Sequence, residues 1–136
     1  MDFISLISKI ERAYHDERSA DAFYSQLLAQ APDYDSTDAL VEARRDEREH
    51  AIEIAELFKE LTCRYPVELP PNIPPYTSFK EGLSKAAQGE KEAIEFYKEI
   101  VNMSTIKSVK ELFAEIRQDE IVHYVKFLAL LRFKQY

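Results

Sequence analysis

The sequence has no tryptophan, only two glycines in 136 residues, and a single cysteine. With one cysteine, Cys63, the chain can form neither an intramolecular disulfide nor a multi-cysteine metal site of its own. Scarce glycine beside abundant Glu, Lys, Leu, Ala and Ile leans the composition to helix. Lys and Arg number 18 against 25 Asp and Glu, a formal charge of −7, and no basic cluster stands out. A nucleic-acid partner is therefore not expected, and a bound cation suits the chain better. No apolar run approaches the roughly twenty residues of a membrane span. Met1 is followed by an amphipathic, acid-containing segment in place of a basic region and long apolar run, so no signal peptide is expected, and the location expected is the cytoplasm. The 46% of hydrophobic residues suffice for one core, so residues 1–136 are expected to form one domain.

Apolar residues recur with helical period in four stretches. The first predicted helix runs from Phe3 to about Ala31, before Pro32, and Asp33 to Asp38 supply turn and N-cap chemistry. A second helix is predicted from about Thr37 to Arg64, a third from about Ser78 to Asn102, and a fourth capped by Ser104 or Thr105. Five of the six prolines crowd between Pro66 and Pro75. Tyr65 to Thr77 therefore cannot be helical. Extended at about 3.1 Å per residue, this stretch reaches about 40 Å, which suits a stiff crossover along the whole length of a bundle. Gly89, inside the third helix, either permits a close backbone approach or is merely tolerated, at roughly 1 kcal/mol relative to alanine.

Within these helices Asp46-Glu47-Arg48-Glu49-His50 recurs 73 residues later as Asp119-Glu120-Ile121-Val122-His123. The same offset carries Glu17 onto Glu90 and Tyr24 onto Tyr97. One register thus relates six candidate metal ligands: Glu17, Glu47, His50, Glu90, Glu120 and His123. Each interrupts an apolar stripe. If helices one and two fold back near Pro32, and three and four near Ser104, all six meet at mid-bundle.

Residues three apart on a helix share a face, so Glu-x-x-His presents a carboxylate and an imidazole to one point. Four carboxylates and two imidazoles suit a pair of iron or manganese ions, without excluding zinc by ligand type alone. Crowded carboxylates repel and hold protons, and two divalent cations would offset four negative charges. A solitary Glu-x-x-His in so acidic a chain is ordinarily a solvated face. That account does not predict four Glu and two His on four helices in one register. Asp46 and Asp119 are placed either to accept the free ring N–H of an imidazole, on their own or the opposing helix, or simply to face solvent. Tyr24 and Tyr97, two turns beyond Glu17 and Glu90, are placed to bond toward those glutamates, while Tyr14 and Tyr124 are expected to serve as readily in ordinary aromatic core packing. His15 is expected to be exposed, and Cys63 to be a helix-end residue.

The pattern Glu17, Glu47/His50, Glu90, Glu120/His123 resembles the ferritin-like di-iron carboxylate proteins, and its ligand set is similar to those of bacterioferritin and rubrerythrin. The resemblance implies an all-α up-down-down-up four-helix bundle with its long crossover between helices two and three. It also implies that Glu47 and Glu120 bridge two Fe ions, with Mn or mixed Fe/Mn as variants, while Glu17, Glu90 and the histidines ligate terminally. Rubrerythrin carries a Cys-rich module that one cysteine cannot make, and a further glutamate where this chain has Ala93. Bacterioferritin's haem-ligating Met is replaced by Arg48, so no haem is expected. Only thirteen residues follow His123, so no fifth helix or large storage shell is expected.

The leading functional expectation is an oxidoreductase of peroxidase or ferroxidase type, reacting with hydrogen peroxide or dioxygen, served by an unknown electron donor and acting as a homodimer. Hydroxylation of an organic substrate is the second enzymatic reading and requires a pocket beside the metals. Iron binding or carriage without turnover is the third.

Overall fold

In the computed structural model, which describes residues 2–136, four helices form: α1 (Phe3–Leu28), α2 (Tyr34–Thr62), α3 (Phe79–Met103) and α4 (Lys107–Phe133). No strand occurs among the described residues. Local chemistry sets the ends. Asp2, Asp33 and Ser78 each cap a helix by accepting from the backbone N–H three residues on. Because Asp33 caps α2, that helix starts three residues before the predicted Thr37, and α1 stops at Leu28, short of Ala31. Cys63 terminates α2 with φ of 64°, a left-handed cap that glycine fills more readily.

The predicted cap of α4 is corrected. Ser104 closes α3, and the residue before α4 is Ile106, which has no side-chain capping bond. Ser104 Oγ instead accepts from the Ile106 N–H at 3.0 Å, so it is spent on the turn and not on the helix start.

Residues 64–78 follow α1 from its early turns to its end. The Val67 N–H meets Glu11, the Asn72 N–H meets Ser19 Oγ, and Tyr76 OH accepts from Gln30. The Pro-rich stretch therefore climbs the length of α1, and α3 starts where α1 finishes. Helix α3 runs antiparallel to α1, as Tyr24–Glu90 and Glu17–Tyr97 pairing shows, and α4 antiparallel to α2, as His50–Asp119 and Asp46–His123 show. The order is up, down, down, up. α1 packs chiefly on α2 and α3 on α4, with α1–α3 and α2–α4 contacts closing the bundle. No described helix is long and apolar enough to cross a membrane.

Two apolar clusters fill the bundle, one on either side of its middle. Ile10 and Ile54 belong to the first, Leu83 and Phe127 to the second, and the 73-residue offset carries each pair onto the other. Leu27 and Leu40 of the second cluster map likewise onto Ile100 and Phe113 of the first. The offset thus acts as an internal two-fold, which forces whatever lies between the clusters to be arranged twice.

The two glycines play opposite parts. A Cβ on Gly82 would lie 2.5 Å from Leu27 Cδ2 and 3.0 Å from the Tyr76 ring, so Gly82 is where α3 passes closely under the crossover. A Cβ on Gly89 meets nothing within 4 Å, which removes close approach as its explanation. Gly82→Ala is therefore expected to lower unfolding free energy by ~1 to 3 kcal/mol through overpacking. Gly89→Ala is expected to raise it by up to about 1 kcal/mol through helix propensity. Urea unfolding of the two variants measures both signs.

Candidate metal centre

The buried polar residues among those described are Ser36 and Ser104, both at helix ends, and Glu17, Glu47, His50, Glu90, Glu120 and His123. Those last six form a layer between the two apolar clusters, each at most 3% exposed. Burying four carboxylates against aliphatic walls is strongly unfavourable without compensating charge, and no Lys or Arg reaches them among the described residues.

The side-chain atoms form two overlapping groups. Glu17, Glu47, His50 and Glu120 can present one donor atom each within 4.8 Å of one another, and so can Glu47, Glu90, Glu120 and His123. Glu47 and Glu120 belong to both. His50 Nδ1 lies 3.3 Å from Glu47 and Glu120 and 3.5 Å from Glu17. His123 Nδ1 lies 3.5 Å from Glu47 and Glu90 and 3.6 Å from Glu120. Each of the six residues keeps one buried atom without a hydrogen-bond partner: Glu17 Oε2, Glu47 Oε1, His50 Nδ1, Glu90 Oε2, Glu120 Oε1 and His123 Nδ1. Atoms tetrahedrally placed at about 2.1 Å from a shared ion are about 3.4 Å apart, so this spacing fits donors around a cation better than donors bonded to each other.

The remaining atoms of these side chains are tied down, and the ties cross the bundle. His50 Nε2 bonds Asp119 Oδ2, and His123 Nε2 bonds Asp46 Oδ2, both at 2.8 Å. A carboxylate accepts, so Nε2 carries the hydrogen and Nδ1 is left facing the glutamates. Of the alternatives open in the sequence, the opposing-helix bond is the one formed. Tyr97 OH donates to Glu17 Oε1 at 2.7 Å, and Tyr24 OH donates to Glu90 Oε1. The same-helix tyrosine bonds expected from the sequence are thereby corrected. Seven residues of helix rise are about 10.5 Å, too far for one phenol, whereas the facing glutamate of an antiparallel helix reaches out to meet it.

Electrostatics follow from crowding. Burial, then the charges of Glu120, Glu17 and Glu90, push the Glu47 carboxyl well above its usual range. Burial, then Glu17 and Glu90, do the same to Glu120. For His50, burial favours the neutral ring, but contacts with Glu120 and Glu17 prevail and raise it to about 12. For His123 burial is likewise outweighed, chiefly by Glu90, and the ring is raised to about 9. Burial, and the nearest glutamate in each case, hold the Tyr24 and Tyr97 phenols protonated well above their ordinary value.

The internal symmetry is imperfect where it meets solvent. The Asp46 side chain is 17% exposed and that of Asp119 51%. Removing a residue that orients a ligating histidine costs about 10- to 100-fold in metal affinity. Asp46→Ala is expected at the upper end and Asp119→Ala at the lower, because water can replace the exposed carboxylate. Competition with a metallochromic chelator reads the difference.

His15 lies outside both groups, half-buried with its ring edge against Tyr14 and not exposed as expected. Tyr14 packs in the first cluster and donates to Glu68 at 2.5 Å. Cys63 is exposed at the end of α2. Periodicity did not reveal a cavity of about 410 Å³ between α1 and α3, floored by four of the glutamates. Its only sequence trace is small residues, Ala20, Gly89 and Ala93, beside Glu17 and Glu90.

The family model described as Rubrerythrin matches residues 9–131. The uncharacterized protein YhjR of Bacillus subtilis strain 168 is 29% identical over 131 residues, covering 93% of this chain and 86% of its own. Two solved structures share the fold at 24% identity. One is the dodecameric thioferritin of Bacteroides fragilis, a bacterioferritin-related protein (TM-score 0.85, covering 97% of this chain and 87% of that one). The other is a ferritin-like, diiron-carboxylate protein of Bacillus anthracis strain Ames (TM-score 0.82, covering 96% and 99%).

Proposed function

The chain belongs to the rubrerythrin family, and from that premise we propose that it is a di-iron oxidoreductase reacting with hydrogen peroxide or dioxygen. Glu17, Glu47, His50, Glu90, Glu120 and His123 would hold two iron ions, Glu47 and Glu120 between them. The observation that carries this reading is the set of six unpartnered buried atoms, one from each of these residues, in a layer that no Lys or Arg reaches among the described residues. Manganese in one or both positions is compatible with the same donors.

The ion pair, when bound, supplies two one-electron donors side by side for reduction of an oxidant. The chain's part is to position and to exclude. Asp46 and Asp119 fix the imidazole tautomer and leave Nδ1 free. Tyr97 and Tyr24 each hold one oxygen of Glu17 and Glu90, leaving the other oxygen free, and keep a proton close to the reacting centre at neutral pH. The apolar clusters close the layer above and below. A separate electron donor is required to restore the reduced state.

Anaerobic protein loaded with Fe(II) and mixed with hydrogen peroxide or dioxygen is expected to form ferric absorbance rapidly with at least one of them. Absence of oxidation by both would falsify the proposal, and iron content near two per chain in protein from its native host is the accompanying expectation. We place the protein in the cytoplasm as a self-associating chain, a homodimer at the least. The exposed stripe Val122, Val125, Leu128 and Phe133 on α4 supports self-association, and a structural relative is dodecameric.

A further inference from the structure

The six candidate ligands are sealed inside the bundle, yet one side of the layer is not closed by protein. Between α1 and α3 lies the cavity of about 410 Å³, bounded by the glutamates Glu17, Glu47, Glu90 and Glu120 but by neither histidine. Small-molecule sites run from about 300 to 1,000 Å³, and a cavity of about 150 Å³ already accommodates benzene. Hydrogen peroxide or dioxygen would fill a small part of this one. The opening persists because Ala20, Gly89 and Ala93 put almost no side chain into the gap, and a Cβ on Gly89 would still meet empty space.

The lining says what kind of molecule fits. Phe23 and Phe96, related by the 73-residue offset, stand on the two sides with Tyr24 and Tyr97, so the space is flanked by aromatic rings. The two basic groups at the rim are already paired with carboxylates, while the Glu92 carboxylate has a neutral amide for its partner. Arg12 lies 3.6 Å from Asp16 and 4.2 Å from the centre of the Phe96 ring, Lys85 lies 3.4 Å from Glu81, and Glu92 accepts from Gln88 at 3.2 Å. An anionic ligand would have to break one of the two basic pairs and would still face the glutamate floor. An uncharged aromatic molecule breaks neither pair, and a ring hydroxyl can donate to a glutamate oxygen.

We infer that the α1–α3 cavity is a binding site for an uncharged aromatic molecule of the phenol class, held with its hydroxyl toward the glutamate layer. The assignment deepens the di-iron reading and rests on it for the charge of the floor, which two bound cations would offset. It gives Gly89 a role that helix propensity does not explain.

Phenol is titrated into iron-loaded protein by calorimetry, with benzoate as a charged ring of similar size. Saturable binding of one phenol per chain is expected, with benzoate at least about ten-fold weaker. Gly89→Leu and Ala93→Leu, each filling the gap from α3, are expected to weaken phenol by at least about ten-fold. Helical circular dichroism and iron content of both variants show that fold and metal layer are intact. No saturable phenol binding, equal binding of benzoate, or unaltered binding in both variants overturns the inference. Iron content and peroxide oxidation are measured on the same samples. Protein that holds iron and reacts with peroxide but ignores phenol overturns this inference alone. Protein that takes up no iron yet binds phenol overturns the di-iron proposal and leaves the cavity assignment supported.

Discussion

Glu120→Ala is expected to lose both metal ions, retaining well under about one per chain, whereas His123→Ala is expected to keep about one. The difference comes from group membership. Glu120 stands in both four-residue groups, while His123 stands only in that of Glu47, Glu90 and Glu120. Without Glu120, each group falls to three donors, and the layer loses one of the two carboxylates able to join the ions. Without His123, the group of Glu17, Glu47, His50 and Glu120 is intact. The metal-free Glu120→Ala protein should be no less stable than the metal-free parent, since a buried carboxyl under repulsion has been removed. Metal content by mass spectrometry after equilibration and desalting reads the first effect, and thermal unfolding of the chelated proteins reads the second. Equal metal content in the two variants would contradict the sharing of Glu120.

The second large effect is a reversal of the pH dependence of stability on metal loading. In the metal-free fold, His50 and His123 are raised to about 12 and about 9, and Glu47 and Glu120 are also raised. The folded state therefore binds more protons than the unfolded chain, and its stability falls as pH rises. For the histidines, the contribution is complete below the unfolded value of about 6.5 and is lost through about 9 and then about 12. For the two glutamates, decline begins above the unfolded value of about 4.5. Metal ions must displace these protons, so their affinity rises with pH by about ten-fold per unit for each proton released. At 100-fold excess over its dissociation constant, each ion adds about 2.7 kcal/mol. Between pH 6 and 8 that increment should grow by about 1.4 kcal/mol per pH unit per proton. Denaturant unfolding across this range should show the metal-free midpoint falling and the metal-loaded midpoint rising. Parallel curves would mean that the layer does not exchange protons for metal.

Much of this centre was legible beforehand because its information is local. Glu47 and His50, or Glu120 and His123, are three residues apart on one helix, and helix geometry alone puts them on a common face. The 73-residue repeat then tied the two pairs to Glu17 and Glu90 without any knowledge of contacts. What the sequence did not show were partners on other helices. Tyr24 was matched to Glu17 on its own helix, and its bond to Glu90 depends on α3 running antiparallel at bonding distance. Asp46 could have faced solvent or either histidine, and the same holds for Asp119. Ser104 looked like a cap for α4 because capping residues are recognised by type, while its actual use in the preceding turn depends on a backbone path.

The chain by itself determined the four helices, the Pro-rich crossover and the choice of the six buried candidate ligands, since each follows from periodicity, proline chemistry or spacing along the chain. Only the tertiary structure decided the crossed pairing of tyrosines and aspartates, the greater exposure of Asp119 over Asp46, and the open side between α1 and α3. Those depend on distances between helices, and interhelical distance is set by what the facing residues do together. Ala20, Gly89 and Ala93 each look like a tolerable small residue in a helix, but set on facing helices they leave a cavity.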